Sequence, residues 1–367
     1  MSDPLELLRA RYGAAHVPGS ASRYAPDAIN PVLETLLAHR SVRGFLTDAL
    51  PRGTLELLIA AAQSAPSSSN LQTFSVVSLE EPERKARVAT LAADQNFIRE
   101  APLFRGCIRS RRQVALACKE SEGKACRRSQ GGPLSRRRNA AVRRFAGEPS
   151  GLRTVARGTA LRSLCRGPTL HSVPRLVPQA TVLNAILPPT ANTPRWLVDL
   201  SRLQHIAAAA GVEAEGLEYL DTFLMGAIDA ALAAQNVVTA AESLGLGTVY
   251  VGALRNRPLE VARELGLPKG VFPLFGLAVG RPDAARPASV KPRLSQALVL
   301  HREQYSTAPI DADIESYDAL VAEFNRSQNL PPTRWTERTL ERVRSVSSLR
   351  GRDKLRGQLG VQGFELK

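Results

Sequence analysis

The sequence predicts a mixed α and β chain with a discontinuous core, on three observations. Short apolar strand-like runs at 73–79, 196–199, 248–252 and 271–279 alternate with helical periodicities. No G-x-G-x-x-G follows any of these strands, so a Rossmann nucleotide domain is not expected. Residues 105–195 hold no sustained period of 2 or 3.6, which leaves 1–104 and 196–340 as the two parts of one fold.

In chain order, residues 3–12 and 31–39 read as amphipathic helices joined by a Gly/Ser/Pro/Ala stretch. Leu55, Leu57, Leu58, Ala61 and Ala62 recur at helical spacing behind Pro51, which is tolerated at a helix start. A buried strand follows at 73–79, then a helix over 81–93 with Pro82 in its first turn. Residues 101–104 open a core strand that breaks off, and 196–199 resume it before a helix over 200–210. Residues 217–244 give the longest helical pattern, apolar on all sides, and so a buried helix of either a monomer core or a dimer interface. A strand at 248–252, a helix over 257–265 and a strand at 271–279 come next. Pro273 inside the last implies an edge or a bulge. A short strand is expected at 298–301, and helices over 314–325 and 335–346 flank the breaker Asn329-Leu330-Pro331-Pro332. Residues 341–367 read as an Arg/Ser-rich extension with a frayed end.

The net charge of +15 would suggest nucleic acid or an anionic membrane as partner. It resides in one segment. Residues 105–195 hold 19 of the 49 basic residues, 17 of them Arg, against three of the 34 acids; the rest of the chain is close to neutral. Cys107, Cys118, Cys126 and Cys165 lie there too, at spacings that fit no zinc template, and no metal site is expected. No apolar run approaches the length of a membrane helix, and the first residues carry acids early, so a cytosolic protein is expected.

Joining Phe104 to Trp196 yields the unbroken run A-P-L-F-W-L-V-D-L-S-R-L. Residues 105–195 are then a translated intron or faulty gene model, a disordered insertion, or an RNA-binding arm around Arg138, Arg143 and Arg144. The arm has only Phe145 for base stacking.

Chemistry concentrates in four motifs. His39, Arg40, Ser41, Val42 and Arg43 put two arginines, a histidine and a hydroxyl in five residues. Ser67, Ser68, Ser69, Asn70, Leu71 and Gln72 follow the next helix, and the two clusters suit an anion and a polar ring system. Gly245, Leu246 and Gly247 lead to Tyr250, Val251, Gly252, Ala253 and Arg255-Asn256, and Lys291-Pro292-Arg293 forms a polar loop. No Ser/His/Asp or Cys/His nucleophile and no paired carboxylates stand out, so no protein residue is expected to be catalytic and a cofactor carries the chemistry.

These four motifs, in this order, resemble the flavin-dependent nitroreductase superfamily, in particular the oxygen-insensitive NADPH nitroreductase and NADPH:FMN flavin reductase branch. The resemblance implies an α+β, three-layer fold with a mostly antiparallel central sheet flanked by helices. It further implies an interlocked homodimer with two FMN sites at the interface, extended by a partner's C-terminal strand, with 39–43 on a helix. It places His39, Lys291 and Arg293 at the FMN phosphate with Arg40 and Ser41 nearby. Arg43 would approach the pyrimidine edge, where a cation stabilises the negative charge of the reduced ring. Ser67, Ser68, Ser69 and Leu71 would reach the flavin from the neighbouring subunit, Gln95 the pyrimidine edge, and Tyr250, Val251, Gly252 and Ala253 the ring. NADPH is the implied donor, with Arg334 as its contact and Arg326 nearby. The implied reaction is two-electron, ping-pong reduction of nitroaromatics, quinones or flavins. The alternatives are a non-catalytic nucleic-acid-binding protein acting through the Arg-rich insert, or a product without function.

Overall fold

Phe74–Val77 (β1), Arg195–Asp199 (β2), Gly247–Val251 (β3) and Val271–Gly280 (β4) form one antiparallel sheet in the order β1-β2-β4-β3. The computed structural model describes residues 4–13, 29–79, 81–101 and 195–367, all within the unit Met1–Gly106 plus Pro188–Lys367. The four cysteines, the Arg-rich arm and the strand start at 102–104 lie outside the described residues.

The helices are Pro4–Tyr12 (α1), Pro31–Leu37 (α2), Thr54–Gln63 (α3), Pro82–Leu91 (α4), Asn96–Glu100 (α5), Ser201–Ala210 (α6), Leu220–Ser243 (α7), Pro258–Leu265 (α8), Asp311–Ser327 (α9), Trp335–Val343 (α10) and Leu355–Val361 (α11). Local chemistry sets their ends. Asn30 caps α2 by accepting from Val32 N and Leu33 N, prolines stand at the first turns of α2, α4 and α8, and Gly211 and Gly266 end α6 and α8 at positive φ.

Helices cover both faces of the sheet, which gives three layers. On one face α7 and α3 bury Leu58, Ala62, Ala233, Ala234, Val237, Val238 and Ala241 against Trp196, Leu277 and Val279. On the other, α4, α5 and α8 bury Val88, Ala89, Ile98 and Val261 with Leu79, Val251 and Leu254. The alanines and Gly226 let α7 lie close on the sheet; a Cβ at Gly226 would stand 2.7 Å from Val198 Cγ1.

Several expectations are corrected. At 24 residues α7 is long and apolar enough to cross a membrane, contrary to the sequence reading, but its inner face is packed on the sheet. The bulge that Pro273 implied is present, in an inner strand: Trp196 pairs with Phe275 and Leu197 with Pro273, so Leu274 is skipped. Residues 298–301 form no strand; a 3-10 turn at Gln296–Leu298 occupies the region. The end of the chain is not frayed. Leu359 and Phe364 are buried against Phe272 and Val198, Gly270 N donates to Gln362 O, and Leu220 N donates to Lys367 O.

β2 is buried along its length and begins with a cation, Arg195. Burial lowers the Arg195 guanidinium to about 9. Buried Lys85, whose Nζ donates to Ala101 O at 3.2 Å, is lowered to about 8, first by burial and then by Arg195.

Candidate functional site

The 39–43 segment is extended, not helical. α2 stops at Ala38, Ser41 bridges Thr248 in parallel, and Val42 N donates to Thr248 O at 2.9 Å. Gly247 makes this crossing feasible, since a Cβ there would stand 2.7 Å from Val42. His39 Nδ1 donates to Glu242 Oε1 at 2.6 Å, and the same oxygen accepts from Thr248 Oγ1 at 3.0 Å. A carboxylate at Nδ1 fixes the ring and its tautomer. Arg40, Ser41 and Arg43 are exposed.

The 291–293 loop joins this end. Arg11 on α1 donates to His39 O at 2.5 Å and to Lys291 O at 3.2 Å, and Arg293 N donates to Arg11 O at 2.7 Å. Desolvation, then the charges of Arg338, Arg43 and Arg293, lower the Lys291 ammonium below its ordinary value. Arg11 is lowered by burial and then by Arg293, with Glu242 among the opposing charges. The structure therefore gathers Arg11, Arg43, Lys291, Arg293 and Arg338 into one mutually repelling group beside His39. A dianionic phosphate is the kind of ligand that relieves such repulsion.

The hydroxyl loop is organised separately. Buried Asp229 on α7 accepts from Ser67 Oγ at 2.7 Å, Ser68 N at 3.0 Å and Thr73 Oγ1 at 3.1 Å. Ser67 Oγ in turn accepts from Gln72 N at 2.8 Å, and Leu71 N closes the 3-10 turn on Ser68 O. Ser69, Asn70 and Gln72 sit at φ of 49°, 55° and 52°, a left-handed run that the buried carboxylate holds in place. Gln95 is half-buried at the start of α5, behind another positive-φ pair, Ala93 and Asp94, with Asp94 tied to Arg99 at 2.5 Å.

Tyr250 lies near the end of β3 with its ring edge-on to Phe275 at 5.3 Å, and its hydroxyl donates to Gln235 Oε1 at 3.4 Å. Burial, then Glu242, raises its phenol to about 12. Val251 and Ala253 are buried, and the Ala253 methyl packs in the core. Around this turn stands a second cationic group. Arg352 donates to Gly252 O at 3.1 Å and Asn256 Oδ1 at 2.9 Å, and Arg255 donates to Leu274 O at 2.5 Å. Arg352 is lowered by burial and then by Arg255, Arg342 and Arg350, and Arg255 by burial and Arg342. Arg334 pairs instead with buried Asp318 at 3.4 Å, and Arg326 with Glu323 at 2.6 Å.

Sequence reasoning missed Asp229, Glu242, Arg11, Arg338 and the arginines that join Arg255 near Gly252, namely Arg342, Arg350 and Arg352. The two acids left a signal, each being a lone carboxylate on an otherwise apolar helical face that has to find partners when buried. The arginines left none, since only the fold brings them together.

Comparison with known proteins agrees with this geometry. The nitroreductase family model matches residues 36–142 and 217–281, and the model of the nitroreductase family C-terminal domain matches 291–367. A Bacillus subtilis FMN reductase [NAD(P)H] is 28% identical over 345 residues, covering 92% of this chain and 100% of that protein. An oxygen-insensitive NADPH nitroreductase of Salmonella typhimurium is 43% identical over 120 residues, 32% of this chain and 48% of that protein. The solved structure of the hypothetical oxidoreductase YcnD from Bacillus subtilis superposes with a TM-score of 0.64 at 26% identity, covering 92% of this chain and 100% of that one. With both of its domain models matched across more than half of its length, and the α+β sheet in place, the chain belongs to the nitroreductase family.

Proposed function

We propose that this protein is an FMN-dependent NAD(P)H oxidoreductase that reduces small electron-poor acceptors such as nitroaromatics, quinones or flavins two electrons at a time. The observation that carries the reading is the group of Arg11, Arg43, Lys291, Arg293 and Arg338 beside a His39 oriented by Glu242, a cradle for a phosphate dianion. FMN, when bound, supplies hydride acceptance and donation. The protein's part is binding and electrostatics. His39, Lys291 and Arg293 hold the phosphate, with Arg40 and Ser41 alongside; Arg43 sets a positive charge near the ring's acceptor edge, and Gln95, Tyr250, Val251, Gly252 and Ala253 border the ring. The relatives named as FMN reductase and NADPH nitroreductase support this assignment.

The second cationic group, Arg255, Arg342, Arg350 and Arg352, suits the phosphates of the pyridine nucleotide better than Arg334, whose charge is met by Asp318. Homodimerisation has its own support: Leu220, Leu224, Ile228 and Leu232 form an exposed stripe one turn apart along α7. In such a dimer Ser67, Ser68, Ser69 and Leu71 of one chain would reach the flavin held by the other. We place the protein as a soluble, cytoplasmic enzyme, and residues 105–195 as an insertion outside the flavin domain.

The test is a visible spectrum of the purified protein before and after anaerobic NADPH, followed by steady-state kinetics. Flavin bands that bleach on NADPH addition and parallel double-reciprocal plots are expected. A chain that takes up no FMN overturns the reading.

A further inference from the structure

α1 carries none of the four motifs, yet its Arg11 is buried to 6% exposure between the two segments that supply the phosphate-end cations. Its guanidinium uses all three nitrogens on backbone carbonyls: Nε on Leu37 O at 3.0 Å, Nη2 on His39 O at 2.5 Å and Nη1 on Lys291 O at 3.2 Å. The Arg11 carbonyl accepts from Arg293 N at 2.7 Å. One residue thus ties the turn holding His39 to the loop holding Lys291 and Arg293, segments some 250 positions apart in sequence.

We propose that Arg11 is a positioning residue for the cofactor phosphate, an inference that rests on the FMN reading. Arg11 commits its three guanidinium nitrogens to these carbonyls, so its part is to hold the two segments and to add its charge to the group. It fixes the gap between His39 and the 291–293 loop, and among the described residues its charge is paired with no carboxylate. The planar fork is essential to this role. A lysine ammonium is a single point that cannot meet carbonyls on both segments in that geometry. An apolar replacement leaves three carbonyls without their donor and frees the two segments to separate.

The full-length Arg11→Met and Arg11→Lys variants, titrated with FMN and with riboflavin, which lacks the phosphate, test this. Arg11→Met should weaken FMN binding about tenfold or more while riboflavin affinity changes less than about twofold, and Arg11→Lys should fall between. Leu8→Ala, which loosens the same helix at a buried position but keeps the guanidinium, should cost less FMN affinity than Arg11→Met. Should Arg11→Met fail to fold by circular dichroism, Arg11→Lys carries the comparison. Equal losses for both flavins, or unchanged FMN affinity in the folded variants, overturn the assignment. A wild-type chain that binds FMN no better than riboflavin removes the phosphate role but leaves a flavin site. Binding of neither removes both readings.

Discussion

Asp229 and Glu242 stand thirteen residues apart on one helix, α7, and each holds a different polar segment: Asp229 the Ser67–Thr73 loop, Glu242 the turn at His39. At 1.5 Å per residue they are separated by about 20 Å along the axis. The hydroxyl loop and the phosphate-end cations of a single chain are therefore kept apart by a rigid spacer.

Replacing Asp229 should loosen the hydroxyl loop. Asp229→Ala removes three hydrogen bonds to a buried carboxylate and leaves Ser67, Ser68 and Thr73 short of an acceptor, a cost of about 3 kcal/mol. Urea unfolding measures it, and FMN retention should fall in parallel. Unchanged stability would mean that the loop is held by something else.

Charging the exposed stripe should dissociate the proposed dimer. Leu224→Glu together with Ile228→Lys leaves the packed face of α7 untouched, because both side chains point away from the core. Sedimentation should show a monomer that also loses FMN. A double variant that stays dimeric and yellow places the interface elsewhere.

For the electron donor, Arg352→Met should raise KM for NADPH about tenfold with little effect on kcat, the size expected for one charge-assisted contact. Arg334→Met, whose charge is met by Asp318, should leave that KM nearly unchanged. The opposite ranking would restore the sequence-based choice of Arg334.

Lys85 predicts a pH dependence. Its ammonium is at about 8 in the folded chain against 10.5 ordinarily. Between those values the unfolded chain keeps a proton that the native one has released, so stability rises with pH across roughly 8 to 10.5. Below 8 both states are charged and the native state bears the whole cost, about 3 kcal/mol at 1.36 kcal/mol per pH unit. Urea unfolding at pH 7 and pH 10 should show the rise in the wild type and a smaller one in Lys85→Met, where Arg195, lowered to about 9, still releases its proton in the folded chain.

Joining Phe104 directly to Trp196 removes Arg195 and puts a phenylalanine at the buried start of β2, facing Val77 across the sheet. The shortened chain should be more stable to heat than the full one and should bind FMN at least as well. A shortened chain that fails to fold would show that residues 105–195 are needed.

Much of this protein was readable from residues alone. Among the described residues, strand runs and helical spacing located the four strands and α7 to within a few positions, because apolar periodicity reports which face is buried whatever covers it. The four motifs, in their order, carried the resemblance to the family that the family models match. Glu242 at His39, Asp229 at Ser67, Arg11 across His39 and Lys291, and the arginines meeting at Gly252 were decided only in three dimensions. Each of those contacts joins segments far apart in sequence, and a cation or carboxylate on a helix looks the same in sequence whether it faces water or a buried carbonyl. The end of the chain was misread as frayed for the same reason: its Leu359 and Phe364 are sparse among polar neighbours, and only the pocket beside Phe272 and Phe223 gives them something to bury against.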